Sequence, residues 1–397
     1  MHNTRKINDD IYYLGASDRR IELFENVYPV SQGMSYNSYL ITDEKTCLMD
    51  SVDESVRGQF LENLQYALNG RNLDYMVVQH MEPDHCFIVP ELFRMYPDMK
   101  LVASLQAFKM MENFYSLQTE ERRLVVKEGD TLQLGKHTLK FIAAPMVHWP
   151  EVLMTYDVTD KILFSADAFG SFGAMSGNIF ADEIDWDKDF KDEARRYYVN
   201  IVGKYGLQTQ NVLKKASTLD IQMICPLHAH IWRKDLSTII SLYDTWSKYE
   251  AEKDSVVIFY GSIYGNTQNA AEILAMQLAE NGIENVEVFD TSKTHVSFLV
   301  SKAFEYKTLV FAAATYNAEI FDTVQNLITE LKNHNLSNRR IGLIENGSWA
   351  PVAASKMKAQ LETFKNMEVV EPVVKVMSSV TDKNVEELSV LAKELMK

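Results

Sequence analysis

Four side chains that can bind a metal ion lie within six consecutive residues, directly after an apolar segment. Residues 74–79 have the composition of a buried strand, and the four follow it: His80, Glu82, Asp84 and His85. Pro83 excludes a continuing helix and is rare in a central strand, so we expect a loop at the strand's C-terminal end. This density of imidazole and carboxylate groups is far above chance for a chain with nine histidines. The spacing therefore predicts a metal site.

Three further polar residues each follow a strand-like apolar segment, where α/β proteins collect functional residues. They are His148 after residues 139–144, Asp167 after residues 162–165 and His228 after residues 221–225. Taken singly, each could equally be an unrelated polar residue. With the first four they make four imidazoles and three carboxylates, too many for one tetrahedral zinc but suited to two metals that share a bridging carboxylate. This donor set favours iron or manganese.

A second candidate site begins at a turn rich in glycine and hydroxyl groups in the second half of the chain. Residues 256–260 predict a strand, residues 261–267 form the turn, and a helix is predicted from residue 268. Backbone N–H groups and the helix dipole at such a turn favour a bound phosphate. The turn lacks the Gly-Lys-Ser/Thr of an NTP-binding loop and the Gly-x-Gly-x-x-Gly of a dinucleotide fold. It therefore suits a phosphate held by neutral donors.

Two later turns, at residues 314–317 and 346–349, follow the third and fourth predicted strands of this half. In a doubly wound fold they meet the first turn at the carboxyl edge of the sheet, where the ligand binds. Tyr316 and Trp349 are loop aromatics suited to flank a flat ring. The candidate binding residues are Ser262, Ile263, Tyr264, Gly265, Asn266, Thr267, Ala314, Thr315, Tyr316, Asn317, Asn346, Gly347, Ser348 and Trp349.

The elements that must position these residues differ between the two halves of the chain. Residues 1–250 interleave many short strands with few helices, which predicts two packed sheets with helices outside. Helices are predicted at residues 56–68, 185–205 and 236–249. Residues 246–255 lose this periodicity and become charged, as inter-domain connectors do. We therefore expect a first domain that ends near residue 250.

From residue 254 onward, strands and helices alternate regularly. The predicted strands are residues 256–260, 286–289, 308–313, 341–345 and 369–376. The predicted helices are residues 268–280, 296–304, 321–333, 353–364 and 385–396. Five successive βα units predict a doubly wound, five-stranded parallel sheet with helices on both faces. We expect this second domain to span residues 254–397.

Composition narrows the class of protein. The chain has 397 residues, with 40 Lys plus Arg against 55 Asp plus Glu, a formal net charge of −15. Such an acidic chain is a poor partner for nucleic acid. No apolar run reaches the roughly 18–20 residues of a membrane helix, and the N-terminal residues lack the apolar segment of a secretory signal. Three cysteines without a Cys-x-x-Cys motif predict a reduced, cytoplasmic protein.

The metal-binding pattern resembles the diiron motif of flavodiiron proteins. The likeness lies in His-x-Glu-x-Asp-His at residues 80–85, followed by a His, an Asp and a His, and in residues 35–41 and 228–233. The resemblance implies one iron on His80, Glu82 and His148. It implies a second iron on Asp84, His85 and His228, with Asp167 as the bridge. In the related metallo-β-lactamase hydrolases, a second His stands where this chain has Glu82.

Some positions depart from the family pattern. Cys86 and Phe87 stand where the family often has Ser-Gly, Ala229 stands where Gly is usual, and Glu25 stands where many members have His. These changes keep every implied ligand but leave the preference for oxygen or nitric oxide open. Residues 312–314 are three alanines where Gly, Ser or Pro is common. Cys86 and Cys225 are expected to be small buried residues, because the nitrogen and oxygen set is already complete.

The resemblance also implies the fold, the cofactors and the partners. The fold would be a metallo-β-lactamase-like αββα sandwich followed by a flavodoxin-like domain that binds FMN. FMN would pass electrons from a donor to the irons, which would reduce dioxygen to water or nitric oxide to nitrous oxide. Rubredoxin, a flavoprotein reductase or reduced deazaflavin serves as donor to relatives. A head-to-tail homodimer, or a homotetramer built from it, would bring each flavin near the partner's irons.

Two other functions are compatible with parts of the sequence. One is a zinc-dependent hydrolase of the metallo-β-lactamase superfamily with a flavodoxin-like appendage, in which a metal-bound hydroxide attacks an ester or amide. Glu82 argues against it, because a carboxylate replaces the expected imidazole. The other is a plain electron carrier that uses only the second half, which predicts that loss of Asp84 would leave function intact.

Overall fold

The computed structural model describes residues 1–397, which form two compact units. The first unit comprises residues 1–198 and 207–244, and the second comprises residues 199–206 and 245–397. No helix in the chain combines the length and the apolar character that crossing a bilayer would require.

A mixed seven-stranded sheet forms one half of the first unit. Its strands, in spatial order, are Arg5–Lys6, Ile11–Tyr13, Tyr39–Thr42, Thr46–Met49, Tyr75–Val77, Lys100–Ala103 and Arg123–Val125. The first four pair antiparallel and the last four pair parallel. Because parallel strands begin and end on the same edges, the loops that follow Tyr75–Val77 and its neighbours share one edge of the sheet.

A five-stranded sheet forms the other half of the first unit. Its strands are Thr131–Gln133, Thr138–Ala143, Leu153–Asp157, Ile162–Phe164 and Met223–Cys225, of which only the last two pair parallel. The two sheets share one core, in which Tyr39, Val77 and Val102 of the first pack with Phe141 and Phe164 of the second. Burial of such side chains contributes about 1.5–3 kcal/mol each, and the predicted sandwich is confirmed.

Helices and two small hairpins complete the first unit. The helices are Arg57–Leu68, Pro83–Cys86, Val89–Met95, Leu105–Tyr115, Trp186–Asp189, Lys191–Tyr197, Gly206–Ala216 and Leu236–Ser247. Short 3-10 turns lie at Glu54–Val56, Glu120–Arg122 and Ala181–Glu183, and another, Gly203–Tyr205, lies in the segment 199–206 that belongs to the second unit. The hairpins pair Ala16–Asp18 with Met34–Tyr36 and Leu23–Phe24 with Tyr28–Pro29.

Two predictions about local structure in this region were wrong. The helix expected at residues 185–205 is interrupted at Phe190 and passes through a π-helical segment, Tyr198–Val202, before the chain turns into the next helix. The residues after Pro83 form a helical turn rather than a loop. Pro83 occupies the first helical position, where its missing N–H is not needed and its fixed φ suits a helix start.

The second unit contains a parallel sheet that is confirmed as flavodoxin-like in strand order. Its strands, in order, are Glu287–Asp290, Lys253–Gly261, Tyr306–Tyr316 and Arg339–Asn346, with Met367–Val369 and Val374–Val376 both on the last. The predicted strand 369–376 is thus two short strands, because Pro372 between them has no N–H to donate. A hairpin strand, Glu319–Ile320, pairs antiparallel with Tyr306–Tyr316.

Five helices alternate with these strands, as the sequence predicts. They are Asn266–Glu280, Val296–Glu305, Asp322–Asn333, Ala353–Leu361 and Asp382–Leu395. Thr381 and Asn384 form a capping box that starts the last helix, and they satisfy N–H groups that would otherwise lack partners. The buried faces of Asn266–Glu280 and Asp382–Leu395 share one core with the central strands, so the sheet presents its loops at a fixed edge.

Candidate functional site

The seven predicted metal-binding residues converge in the first unit, and each is at most 8% exposed. One group consists of His80, Glu82, His148 and Asp167, whose ligand atoms all lie within 4.8 Å of one another. Glu82 Oε2 lies 3.2 Å from His80 Nε2 and 3.0 Å from His148 Nε2. Asp167 Oδ2 lies 3.0 Å from His148 Nε2. Three separate loops thus supply one compact set of nitrogen and oxygen donors.

The second group consists of Asp84, His85 and His228. The Nε2 atoms of His85 and His228 are 3.1 Å apart, and Asp84 Oδ2 lies 3.4 and 3.3 Å from them. Asp167 Oδ1 lies 3.0 Å from His85 Nε2. Because the other oxygen of Asp167 faces the first group, its carboxylate spans both groups, as a bridging ligand would.

The donor set fits two cations. Both oxygens of Asp84 and Oδ1 of Asp167 are buried without a hydrogen-bond partner, a costly state for carboxylates unless a positive charge compensates them. Burial, reinforced by Glu82 and Asp167, raises the pKa of Asp84 to about 8. Burial also opposes the ionisation of Asp167, but the imidazoles of His85 and His80 outweigh it and hold its pKa well below the ordinary value.

Hydrogen bonds outside the two groups orient the imidazoles. Glu151 Oε1 accepts a hydrogen bond from His80 Nδ1 at 2.8 Å, and Ser35 O accepts one from His228 Nδ1 at 2.7 Å. Glu151 was not predicted from the sequence. The only signal in the sequence is its position, because Glu151 stands three residues after His148 and two residues before the strand Leu153–Asp157.

The segment at residues 35–41, noted for its resemblance to the family, supports the loop that carries His228. Asn37 Nδ2 donates to Pro226 O and Ala229 O at 2.9 and 2.8 Å, and Ala229 N donates to Ser35 Oγ at 2.8 Å. Ala229 has φ +57°, a left-handed conformation that favours Gly. The alanine at this position therefore carries backbone strain that the usual glycine avoids.

Aromatic side chains surround His228 and exclude water from the second group. Phe24 and Tyr36 contact its ring edge to face, with centroids 5.6 and 5.7 Å away, and Tyr197 lies 5.5 Å away. The hydroxyl of Tyr197 is buried without a hydrogen-bond partner. Trp149 contacts His80 in the same way at 5.1 Å. None of these aromatics was identified from the sequence, since nothing local marks them.

Glu25 lies beside the site, as the family resemblance implies, because it interacts with Glu82. It occupies the tip of the hairpin Leu23–Phe24/Tyr28–Pro29 with φ +51°. Glu25 is an exposed residue, yet partial desolvation of its carboxyl group and the nearby Glu82 raise its pKa to about 9. Glu25 therefore takes up a proton more readily than an ordinary glutamate does.

The cysteines are not placed as ligands, in agreement with expectation. Cys47, Cys86 and Cys225 are all buried and free, and burial raises the pKa of each thiol. Cys86 Sγ donates to Met81 O at 3.1 Å and lies 3.1 Å from the hydroxyl of Tyr115. A protonated thiol engaged in this way is a poor metal ligand.

A third cluster, His137 with Asp157 and Asp160, has ligand-like geometry elsewhere in the unit. Its polar atoms are already paired: His137 Nδ1 with Asp157 Oδ2 at 2.8 Å, and Asp160 Oδ2 with Asn8 Nδ2 at 2.8 Å. Lys136 forms an ion pair with Asp10, which also faces the other nitrogen of His137. A cation already balances these carboxylates, so the cluster is a structural network.

The predicted nucleotide site of the second unit is a crevice of about 410 Å³ at the carboxyl edge of the sheet. Most predicted residues line it: Ser262, Ile263, Tyr264, Asn266, Thr267, Ala314, Thr315, Asn317, Asn346, Gly347, Ser348 and Trp349. Gly265 and Tyr316 do not. Gly265 precedes the helix with φ +91°, and Tyr316 packs edge to face on Phe321. Three lining residues were missed: Ala318, Ala350 and Ser378.

The chemistry of the crevice fits a flavin mononucleotide. No charged residue lines it, so a phosphate would meet only hydroxyls, amides and the N–H groups at the start of helix Asn266–Glu280. Tyr264 and Trp349 are 93% and 82% exposed, unusually high for aromatic rings. Both lie at the crevice, where a flat ring system would cover them.

Comparisons with known proteins agree with this pairing of sites. A family model described as ODP family beta lactamase matches residues 34–229, and one described as Flavodoxin matches residues 258–387. The chain is 30% identical to the anaerobic nitric oxide reductase flavorubredoxin of Escherichia coli (strain SMS-3-5 / SECEC) over 361 residues, which cover 90% of this chain and 74% of that protein.

Solved structures give the same result over the full length. The flavodiiron protein of Giardia intestinalis superposes with a TM-score of 0.93 at 26% identity and covers 99% of this chain and 96% of its own. The rubredoxin oxygen:oxidoreductase of Desulfovibrio gigas superposes with a TM-score of 0.92 at 27% identity, covering 99% and 98%.

Fold and site together define a redox protein in which a diiron domain of the metallo-β-lactamase type is fused to a flavodoxin-like domain. The chain belongs to the flavodiiron proteins. It is accordingly an oxidoreductase whose cofactors are FMN and a non-haem diiron centre, and the class predicted from the sequence is confirmed.

Proposed function

We propose that this chain reduces dioxygen to water, nitric oxide to nitrous oxide, or both, with electrons that enter through FMN. The observation that carries the proposal is the single carboxylate of Asp167, with one oxygen 3.0 Å from His148 Nε2 and the other 3.0 Å from His85 Nε2. Similar proteins support either gas as the substrate, since one is named a nitric oxide reductase and another a rubredoxin oxygen:oxidoreductase.

The proposed ligand sets follow the two groups of side chains. His80, Glu82 and His148 would hold one iron, and Asp84, His85 and His228 the other, with Asp167 between them. We further propose residues 1–250 as the diiron domain and residues 254–397 as the FMN domain. The diiron centre, when bound, supplies the redox chemistry that reduces the gas, and FMN supplies electrons.

The chain's own residues control protons and water at the site. Glu25 takes up a proton more readily than an ordinary glutamate, because its pKa is raised beside Glu82. Tyr197 and Phe24 shield the ring of His228 from water, which strengthens electrostatic interactions inside the site. At the crevice, the hydroxyl of Thr267 and neighbouring N–H groups would bind the phosphate of FMN, while Trp349 would cover the ring.

The partners that we propose for the chain are those that membership of the flavodiiron family implies. A head-to-tail homodimer or homotetramer would bring the FMN of one subunit to the irons of the other. The electron donor is proposed to be rubredoxin, a flavoprotein reductase or reduced deazaflavin. A cytoplasmic location is proposed from the three free, buried cysteines, which suit a reducing compartment.

The test is to purify the protein without air, measure its iron, zinc and flavin, and follow turnover of oxygen and nitric oxide separately after reduction. We expect a yellow protein with about two iron ions per chain, as a bridged diiron site requires, and consumption of at least one gas. A colourless protein that contains zinc and consumes neither gas would instead identify the metallo-β-lactamase-type hydrolase. The ratio of the oxygen and nitric oxide turnover rates shows which gas is the preferred substrate.

A further inference from the structure

The two proposed metal subsites differ in the hydrogen-bond partners of their histidine Nδ1 atoms, the ring nitrogens that face away from the other proposed ligands. Glu151 Oε1 receives two hydrogen bonds, one from His80 Nδ1 at 2.8 Å and one from Met81 N at 2.9 Å. The Glu151 side chain is fully buried, and its backbone oxygen accepts a hydrogen bond from Ser104 Oγ at 3.1 Å. Oε1 is therefore fixed against the imidazole by two donors, while Oε2 is buried without a hydrogen-bond partner.

A carboxylate can only accept hydrogen bonds, so the proton of His80 must sit on Nδ1. The lone pair of Nε2 then points toward Glu82 and His148, whose ligand atoms lie 3.2 and 3.3 Å away. A negatively charged acceptor also makes the imidazole a stronger donor to a metal than a neutral acceptor does.

In the other subsite neither imidazole donates a hydrogen bond from Nδ1 to a carboxylate, although the buried carboxyl group of Asp50 interacts electrostatically with His85. His228 Nδ1 faces the neutral backbone oxygen of Ser35 at 2.7 Å, and His85 Nδ1 is buried without any hydrogen-bond partner. The proposed ligand sets are otherwise alike, with two imidazoles and one carboxylate each and Asp167 shared. The hydrogen-bond partners of the Nδ1 atoms are thus an asymmetry between the two subsites that bears directly on how well each histidine binds a metal.

We propose that Glu151 is a positioning residue that makes the His80 subsite the tighter of the two, so that the first metal ion bound per chain occupies it. The inference rests on the proposed ligand assignment. It extends that assignment to an order of loading, which the bridged geometry alone does not give.

The experiment is an anaerobic titration of the metal-free full-length protein with Co²⁺, followed by its absorption spectrum, and with ⁵⁷Fe²⁺, followed by Mössbauer spectroscopy. The wild type should load in two phases. Glu151→Gln keeps an acceptor oxygen but removes the charge, and Glu151→Leu removes both. We expect the tight phase to weaken by about 10-fold in the first variant and about 100-fold in the second, with the weak phase changed little.

Asp157→Asn is the matched control. His137 Nδ1 meets Asp157 Oδ2 at the same distance, 2.8 Å, and both residues are buried. This variant makes the same carboxylate-to-amide change in a buried imidazole–carboxylate pair, but away from the proposed ligands, so metal loading should stay unchanged. Circular dichroism of each metal-free variant checks the fold, and the nearly isosteric Glu151→Gln keeps the test valid if Glu151→Leu does not fold.

Two outcomes would overturn the inference. Equal weakening of both phases would mean that Glu151 acts on the whole site, and unchanged loading in both variants would mean that it does not act on the metals. A wild type that binds fewer than two ions would instead refute the ligand assignment itself, so failure of the inference and failure of the proposed function are distinguishable.

Discussion

The metal centre and the flavin crevice differ in the type and the exposure of the residues that line them. The metal centre gathers seven titratable side chains, none more than 8% exposed, from loops that are far apart in the sequence. The crevice is lined by three main turns without a charged residue, and its aromatics are largely exposed. One site is part of the interior of its unit, while the other is a surface feature of a sheet edge.

This difference predicts how each ligand affects the stability of the unit that binds it. Carboxylates buried without partners, such as Asp84, destabilise a unit unless cations compensate them, so iron and the fold of the first unit depend on each other. The crevice uses exposed side chains and helix N–H groups that water can also satisfy. Loss of FMN should therefore leave the second unit folded. Four changes test this contrast.

The largest effect is expected from Asp84→Ala. It removes a carboxylate that has no other role in the structure, and loss of a direct ligand should exceed the roughly 10–100-fold cost of losing a residue that only supports one. We expect iron below two per chain and gas turnover reduced by more than about 100-fold, with FMN still bound. Metal analysis, flavin absorbance and turnover measure the three.

Glu91→Ala is the control for this change, because Glu91 forms an ion pair with Arg57 near the protein surface, and it should alter neither metal nor turnover. If Asp84→Ala folds and still consumes oxygen and nitric oxide at the wild-type rate, the protein is an electron carrier and the metal centre is not its active site.

The second change, Arg339→Met, tests the one deeply buried arginine of the flavodoxin-like unit. Its guanidinium donates to the backbone oxygens of Ala303, Phe304, Tyr249, Ser337 and Asn338. Several carbonyls would lose a charged donor, each worth about 1.5–3 kcal/mol. We expect the free energy of unfolding of this unit to fall by at least about 3 kcal/mol, measured by urea denaturation.

Arg340→Met is the matched control on the same strand, since Arg340 pairs only with the exposed Glu368 at 3.3 Å. Its cost should be at most about 1 kcal/mol. In both variants the flavin affinity of the folded protein should match the wild type, because neither residue lines the crevice. Equal destabilisation by the two changes would contradict this account of Arg339.

The third change, Thr267→Val, tests the neutral phosphate site. Thr267 is buried in the first turn of helix Asn266–Glu280 and lines the crevice. A hydrogen bond to a charged group contributes about 1.5–3 kcal/mol, so the dissociation constant of FMN should rise about 10-fold or more, with iron unchanged. Flavin fluorescence quenching measures it.

Thr323→Val serves as the control for Thr267→Val, because Thr323 lies in the first turn of another helix and bonds Thr291 instead of lining the crevice. It should leave the FMN affinity at the wild-type value. A normal affinity in Thr267→Val would place the phosphate elsewhere in the crevice.

The smallest effect concerns pH and the His137 network. Burial lowers the pKa of His137, but hydrogen bonds with Asp157 and Asp10 outweigh it and raise the pKa above its ordinary value. A raised pKa means that protonation favours the folded state, so this stabilisation is complete below about pH 6.5 and is lost as the pH rises through the folded value. His137→Gln should therefore lower the Tm more at about pH 6 than at about pH 9. An equal loss at both would show that His137 acts without its charge.

Much of both sites could be predicted because their residues follow strands. The apolar segment before His80 and the glycine-rich turn before Thr267 each mark the carboxyl end of a parallel strand, and such ends share one edge of a sheet. Composition then identifies the chemistry, imidazole and carboxylate in one case and neutral donors in the other. The alternation of strand and helix after residue 254 also predicts the second fold.

The sequence alone therefore determined the donors, their order along the chain and the class of fold. Only the tertiary structure decided which residues contact these donors: Glu151, which is hydrogen-bonded to His80, is 71 residues from it in the sequence, and Tyr197, at the end of its helix, packs on the ring of His228. The physical reason is that local periodicity reports which face of an element is apolar. A hydrogen bond between distant loops leaves no trace in either segment until the sheets pack and fix the distance between them.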